Sequence, residues 1–178
     1  MLLRQIGLRF EVKENSVKEF IDRLVMPEEI VVRLSLEKAR DVAADVDDGI
    51  IIGADTVVVL DHHVFGKPKD SKEAESMLMM LSGRCHKVFT GFTILDKPSG
   101  RHFSDVEVTS VKFRVLEDDE VREYVRSGAP LDKAGAYGIQ DDFGAVFVER
   151  IEGCFYNVVG FPLTRFYVSL RHFLANHA

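Results

Sequence analysis

Tryptophan is absent from this 178-residue chain, and cysteine and proline are scarce, at two and five residues. Cys85 and Cys154 stand far apart with no Cys-x-x-Cys spacing, as expected of a reduced, cytoplasmic protein. No apolar run approaches the ~18 residues that span a bilayer, so no membrane partner is expected. The opening stretch Met1-Leu2-Leu3-Arg4-Gln5-Ile6 lacks the long apolar region and small-residue cleavage site of a secretory signal. Positive charge is in deficit: 23 Lys and Arg against 29 Asp and Glu leave −6. That balance, with no basic stripe, argues against nucleic acid as a partner while leaving room for a local basic pocket. There is no internal repeat, low-complexity tract or Pro/Gly/Ser-rich linker. Walker A, the dinucleotide glycine fingerprint, His-Glu-x-x-His and Gly-x-Ser-x-Gly are all missing.

What is present is an ordinary globular balance, 46% hydrophobic and 29% charged. Length and composition fit one domain over residues 1–178 with a sizeable core. Pro27-Glu28-Glu29 opens a helix to about Ala44, because proline suits a first turn and acids there oppose the helix dipole. Its stripe Val31, Leu34, Lys38, Val42 carries one charge in an apolar row. Residues 49–60 read as a strand covered on both faces, with a possible kink at Gly53. Asp61-His62-His63 reads as a hairpin tip. A helix is expected at 71–80 with Ser71 as a possible cap, strands at 87–95 and 106–115, and a short helix at 118–126. A strand at 145–148 and a terminal helix at 163–173 complete the list. Helices interleaved with hairpins give an α/β fold, a mixed twisted sheet flanked by helices.

Four features could carry chemistry. Asp55 lies in an apolar strand, where a carboxylate costs several kcal/mol unless it is paired, hydrogen-bonded or metal-bound; a strand-end turn cap is the plain alternative. Lys38 either snorkels to water or meets an anion. Lys67, in Gly66-Lys67-Pro68, is either a solvated loop residue or a phosphate partner. In the segment from Asp132 to Gln140, small residues flank Tyr137, and Gln140 offers a donor and an acceptor suited to a base edge; a generic glycine turn reads equally well. Asn157-Val158-Val159-Gly160-Phe161-Pro162 shapes the entry to the terminal helix or lines a pocket. His62 and His63 have no partner at metal-ligand spacing, and Cys85 lacks a nucleophile's setting.

These stretches occur in a telling order: Val32-Arg33-Leu34-Ser35-Leu36-Glu37-Lys38-Ala39, Gly53-Ala54-Asp55-Thr56-Val57-Val58, Gly66-Lys67-Pro68, Leu81-Ser82-Gly83-Arg84, Val88-Phe89-Thr90-Gly91, residues 132–140 and residues 157–162. Together they resemble the Maf family of nucleoside triphosphate pyrophosphatases over nearly the whole chain. The resemblance implies an α/β fold like that of the inosine triphosphate pyrophosphatases, often a homodimer. It implies hydrolysis of a nucleoside triphosphate to the monophosphate and pyrophosphate with a divalent cation, Mg²⁺ or Mn²⁺. By position, Asp55 matches the proton acceptor, Lys38 and Lys67 the active-site lysines, and Glu19 a functional acid; Asp55 and Glu19 are then the candidate metal ligands. Thr56 and Gln140 match base-choice positions, and their pairing resembles the branch acting on dTTP and UTP. Two departures stand out. The family's Ser-x-x-Arg loop has no counterpart here, since Arg4 belongs to the following helix. Asp141-Asp142 replaces a small glycine-rich stretch, and those acids would repel a polyphosphate unless they hold metal or point away. The missing loop makes a catalytically impaired nucleotide-binding or cell-division regulatory protein the alternative expectation.

Overall fold

A computed structural model describes residues 2–22, 24–140 and 143–175. After a single turn, α1 (Leu2–Gln5), the chain runs irregularly to α2 (Pro27–Ala44). The rest follows as β1 (Gly49–Leu60), β2 (His63–Phe65), α3 (Ser71–Leu81), β3 (Cys85–Lys97), β4 (His102–Phe113), α4 (Asp118–Arg126), β5 (Val148–Glu152), α5 (Phe155–Val158) and α6 (Leu163–Ala175). Five strands form one sheet in the order β2-β1-β3-β4-β5. The α/β class holds, but every recorded strand pair is antiparallel where a mixed sheet was expected. The reason is connectivity: β1–β2 and β3–β4 are hairpins, and α3 returns the chain antiparallel to β1.

Both faces of the sheet are covered, as the apolar residues on both sides of β1 require. On one face, Ile30, Val31 and Leu34 of α2 pack with Val57 and Phe89. On the other, Val58, Leu60 and Val88 meet α3, α4 and Phe147, while Phe92 and Ile94 meet Phe166 and Leu170 of α6. Helix α2 approaches unusually closely. A Cβ at Gly53 would lie 2.1 Å from the Ser35 carbonyl oxygen, and one at Gly91 2.5 Å from that of Val31. Gly53 is therefore not a kink; it sits in continuous register opposite Thr93 and makes room for a helix backbone.

Two local expectations are corrected. The cap of α3 is Asp70, which accepts from the Glu73 amide at 2.8 Å, so Ser71 is the first helical residue. Residues 143–147 form a 3₁₀ turn, and the strand begins only at Val148. That turn drives Phe147 into the core between Phe113 and Tyr124, which outweighs the local preference for extension.

Candidate functional site

Strand β2 pairs with β1 only at Val58, Val59 and Leu60. Among the described residues, the preceding stretch of β1 has no strand on that side, and a cleft of about 240 Å³ opens there. Side chains alternate along a strand. Asp55 therefore faces α2 while Thr56 faces the opposite side, and the cleft wraps the edge between them. The six residues that the family resemblance placed at the site line it: Glu19, Lys38, Asp55, Thr56, Lys67 and Gln140.

Lys38 is the hub of the acidic side. Its Nζ donates to Asp55 Oδ1 at 2.5 Å and to Glu19 Oε1 at 2.7 Å. The plain snorkelling reading therefore fails for Lys38. Asp55 is 8% exposed, and its partner is this ammonium rather than a turn amide. The close fit of α2 over Gly53 and Gly91 sets Lys38 beside Asp55. Glu19 comes from the irregular segment, which is tied to α2 by Ser16 to Asp41 and by Arg33 Nη2 to the Phe20 carbonyl. Burial pushes the Asp55 carboxyl up, and Lys38 reverses this only in part. Burial would lower Lys38, but the charges and hydrogen bonds of Asp55 and Glu19 outweigh it and keep the ammonium protonated. Burial likewise raises Glu19, but Lys38 more than compensates and holds it below the usual range. Lys67, exposed on its loop, adds positive potential felt by Glu19, Asp55 and Asp132.

The far wall is the segment from Asp132 to Gln140. Gly135 donates to the Gly66 carbonyl at 3.0 Å, joining this segment to the loop of Lys67. Gly135 has φ of 68° and a Cβ there would meet Val58 at 2.8 Å, so two requirements exclude a side chain. Ala136 also has positive φ, 62°, a strained state for alanine that the surroundings hold in place. Two buried hydroxyls supply that hold: Tyr137 Oη lies 2.8 Å from His86 Nε2, and Tyr124 Oη accepts from the Gly138 amide at 3.4 Å. Burial lowers His86 to about 4, so it is a neutral imidazole at neutral pH.

Beyond Gln140 the cleft adjoins a hollow of about 490 Å³ whose lining includes Phe10, Phe155, Tyr156 and Phe161. Asn157 does not line the cleft. It is fully buried, with Nδ2 donating to the Val88 carbonyl and to Thr109 Oγ1, each at 3.0 Å. Sequence reasoning did not single out Lys133, whose Nζ bonds Asp132 and the Ala129 carbonyl at the cleft wall. Its position beside Asp132 in the quoted segment was the available signal. Asp141 and Asp142 lie outside the described residues. Among the described residues no three His, Cys, Asp or Glu side chains converge on a metal position, and no helix is long and apolar enough to cross a membrane.

The chain is thus an α/β protein with a sheet-edge cleft, which has paired acids and lysines on one side and a polar, glycine-flanked wall on the other. The family model described as "Maf-like protein" matches residues 1–173, and the chain belongs to that family. A protein of Carboxydothermus hydrogenoformans named dTTP/UTP pyrophosphatase is 51% identical over 170 residues, covering 96% of this chain and 90% of its own. Proteins of the same name in Salinibacter ruber and Alkaliphilus oremlandii are 46% and 44% identical, covering 96% and 98% of this chain and 83% and 91% of theirs.

Proposed function

We propose that this protein hydrolyses dTTP and UTP to the nucleoside monophosphate and pyrophosphate. The observation that carries the reading is the convergence of Asp55, Lys38, Glu19, Lys67, Thr56 and Gln140 on one cleft, in a chain about half identical to a dTTP/UTP pyrophosphatase. The triphosphate lies on the Lys38–Lys67 side and the base toward Thr56 and Gln140.

Water attacks the α-phosphorus: a bond forms from phosphorus to the water oxygen, the bond from the α-phosphorus to the α–β bridging oxygen breaks, and pyrophosphate leaves carrying the bridging oxygen. Asp55 takes the proton of the water. Its upward-shifted carboxyl makes it a stronger base than an ordinary aspartate. Lys38 holds Asp55 in place with one N–H and Glu19 with another, leaving a third for a phosphate oxygen. Lys67 neutralises charge building on the leaving pyrophosphate.

The donor set fits a divalent cation. Lys38 takes Glu19 Oε1 and Asp55 Oδ1, so the second carboxylate oxygen of each would hold the cation, and Mg²⁺ commonly takes one or two carboxylates with substrate phosphates. A bound Mg²⁺ or Mn²⁺ supplies charge neutralisation of the triphosphate. Both thiols are free, in keeping with a cytoplasmic setting. The homodimer implied by the family likeness completes the reading and is tested by sedimentation.

The deciding experiment is pyrophosphate release from a panel of nucleoside triphosphates. UTP and dTTP should be cleaved with the highest kcat/KM; preference for GTP analogues, or binding without release, overturns the assignment.

A further inference from the structure

Thr56 and Thr90 are directly paired residues of β1 and β3, both on the face away from α2. Their hydroxyls lie 2.9 Å apart. Thr90, fully buried, also donates to the Asn157 carbonyl at 3.1 Å. Among the described residues, Thr56 has one further hydrogen-bond neighbour, the Gly160 carbonyl at 3.5 Å. A hydroxyl has one proton and two lone pairs, whereas a carbonyl can only accept. Thr90 gives its one proton to the Asn157 carbonyl, so in the 2.9 Å pair Thr56 must give its own to Thr90. The Thr56 proton is thus taken by Thr90, and Thr56 offers the cleft lone pairs alone.

The geometry points to Thr90 as a specificity-determining positioning residue: anchored on the Asn157 carbonyl, it makes Thr56 an obligate acceptor that selects a base presenting an N–H donor. The inference rests on the reading of Thr56 as a base-contacting position. Uracil and thymine carry N3–H between two carbonyl oxygens, whereas cytosine carries a bare N3 lone pair. An acceptor-only Thr56 bonds N3–H and repels the cytosine nitrogen. Gln140 can donate to the neighbouring O4 of uracil or, flipped, accept from the cytosine amine, so the choice between the two bases falls to Thr56. The anchor is itself held: Asn157 Nδ2 is fixed by Val88 and Thr109, so the carbonyl that orders Thr90 cannot swing away.

The test compares kcat/KM for UTP and CTP in the full chain. Thr90→Val removes the hydroxyl while keeping the shape, leaving Thr56 only the 3.5 Å carbonyl and freeing its proton to meet cytosine N3. Preference for UTP should fall roughly tenfold or more, chiefly through a gain on CTP, and Thr90→Ser should restore it. Thr93→Val removes another buried, hydrogen-bonded threonine of β3 that does not touch Thr56, and it should leave the preference unchanged. With the wild-type chain, 3-methyl-UTP, which lacks the N3 proton, should be cleaved far more slowly than UTP. Retained preference in Thr90→Val alongside loss in Thr56→Val overturns the role of Thr90. An equal shift in Thr93→Val, or normal cleavage of 3-methyl-UTP, overturns it too. Unchanged preference in Thr56→Val shows instead that Thr56 does not read the base, which removes the premise. Should Thr90→Val not fold, Thr90→Ala, which removes the same hydroxyl, takes its place with the same expected fall, and a retained preference in it overturns the role of Thr90.

Discussion

Under the proposed function, Asp55 is where the chain accepts a cost for chemistry. A carboxyl whose folded pKa is raised is more easily ionised in the unfolded chain, so its charge subtracts from stability once pH exceeds the unfolded value. Asp55→Asn should therefore lower turnover by ~10²–10⁴-fold while stability at neutral pH does not fall; Glu19 still partners Lys38. Steady-state kinetics with a urea melt checks both halves, and near-normal turnover removes Asp55 from the mechanism. The same shift places the acid limb of the pH–kcat/KM profile above the ordinary aspartate range. His86 has the opposite sign relation. Its folded pKa, about 4, is below the unfolded value of 6.5, so the unfolded state takes up the proton first. Stability is whole above pH 6.5 and declines as pH falls toward about 4, by on the order of 3 kcal/mol. His86→Gln should flatten that part of the acid limb in urea unfolding measured across pH.

At the scale of elements, the site depends on one close contact, that of α2 with the sheet. The helix itself is legible: Pro27, the two glutamates after it and the apolar stripe place it at residues 27–44, as observed. Its distance from β1 is another matter, set by the missing side chains of Gly53 and Gly91. Gly53→Ala should displace α2, costing about 3 kcal/mol or more by overpacking. It should also separate Lys38 from Asp55, where an ångström of displacement can cost ~10² in rate. Denaturant unfolding and kcat/KM should therefore fall together. The segment from Asp132 to Gln140 is the second such element. Its small residues announced a tight approach to something, but its anchors, His86 and Tyr124, are distant in sequence and carry no local pattern.

For the whole molecule, the cleft is assembled from the irregular segment before α2, then α2, β1, the Lys67 loop and the far wall. A ligand in the cleft touches all of them at once and stabilises the folded chain by mass action. UTP at ~100 times its Kd, added to Asp55→Asn so that it persists, should stabilise by about 2.7 kcal/mol and raise Tm by roughly 5–10 °C. Chelation of divalent cations should abolish turnover in the wild-type chain and leave its far-UV circular dichroism native, because the cores are apolar clusters that need no metal. Failure of either outcome would show that the site is organised differently.

Taken alone, the order of residues determined the elements whose periodicity is local: α2, β1, α3, β3, β4, α4 and α6. It also determined which charges are out of place. Asp55 in an apolar strand and Lys38 in an apolar stripe are visible because burying an unpartnered charge is costly, so each implies a partner. Only the tertiary structure decided that they partner one another and Glu19, that the sheet is antiparallel throughout, and that the Phe143–Phe147 stretch turns rather than extends. The proton order through Thr56, Thr90 and the Asn157 carbonyl likewise belongs to the fold. Hydrogen bonds between residues 34 and 67 positions apart leave no periodic trace, since what fixes them is the register of two strands and the docking of a short helix.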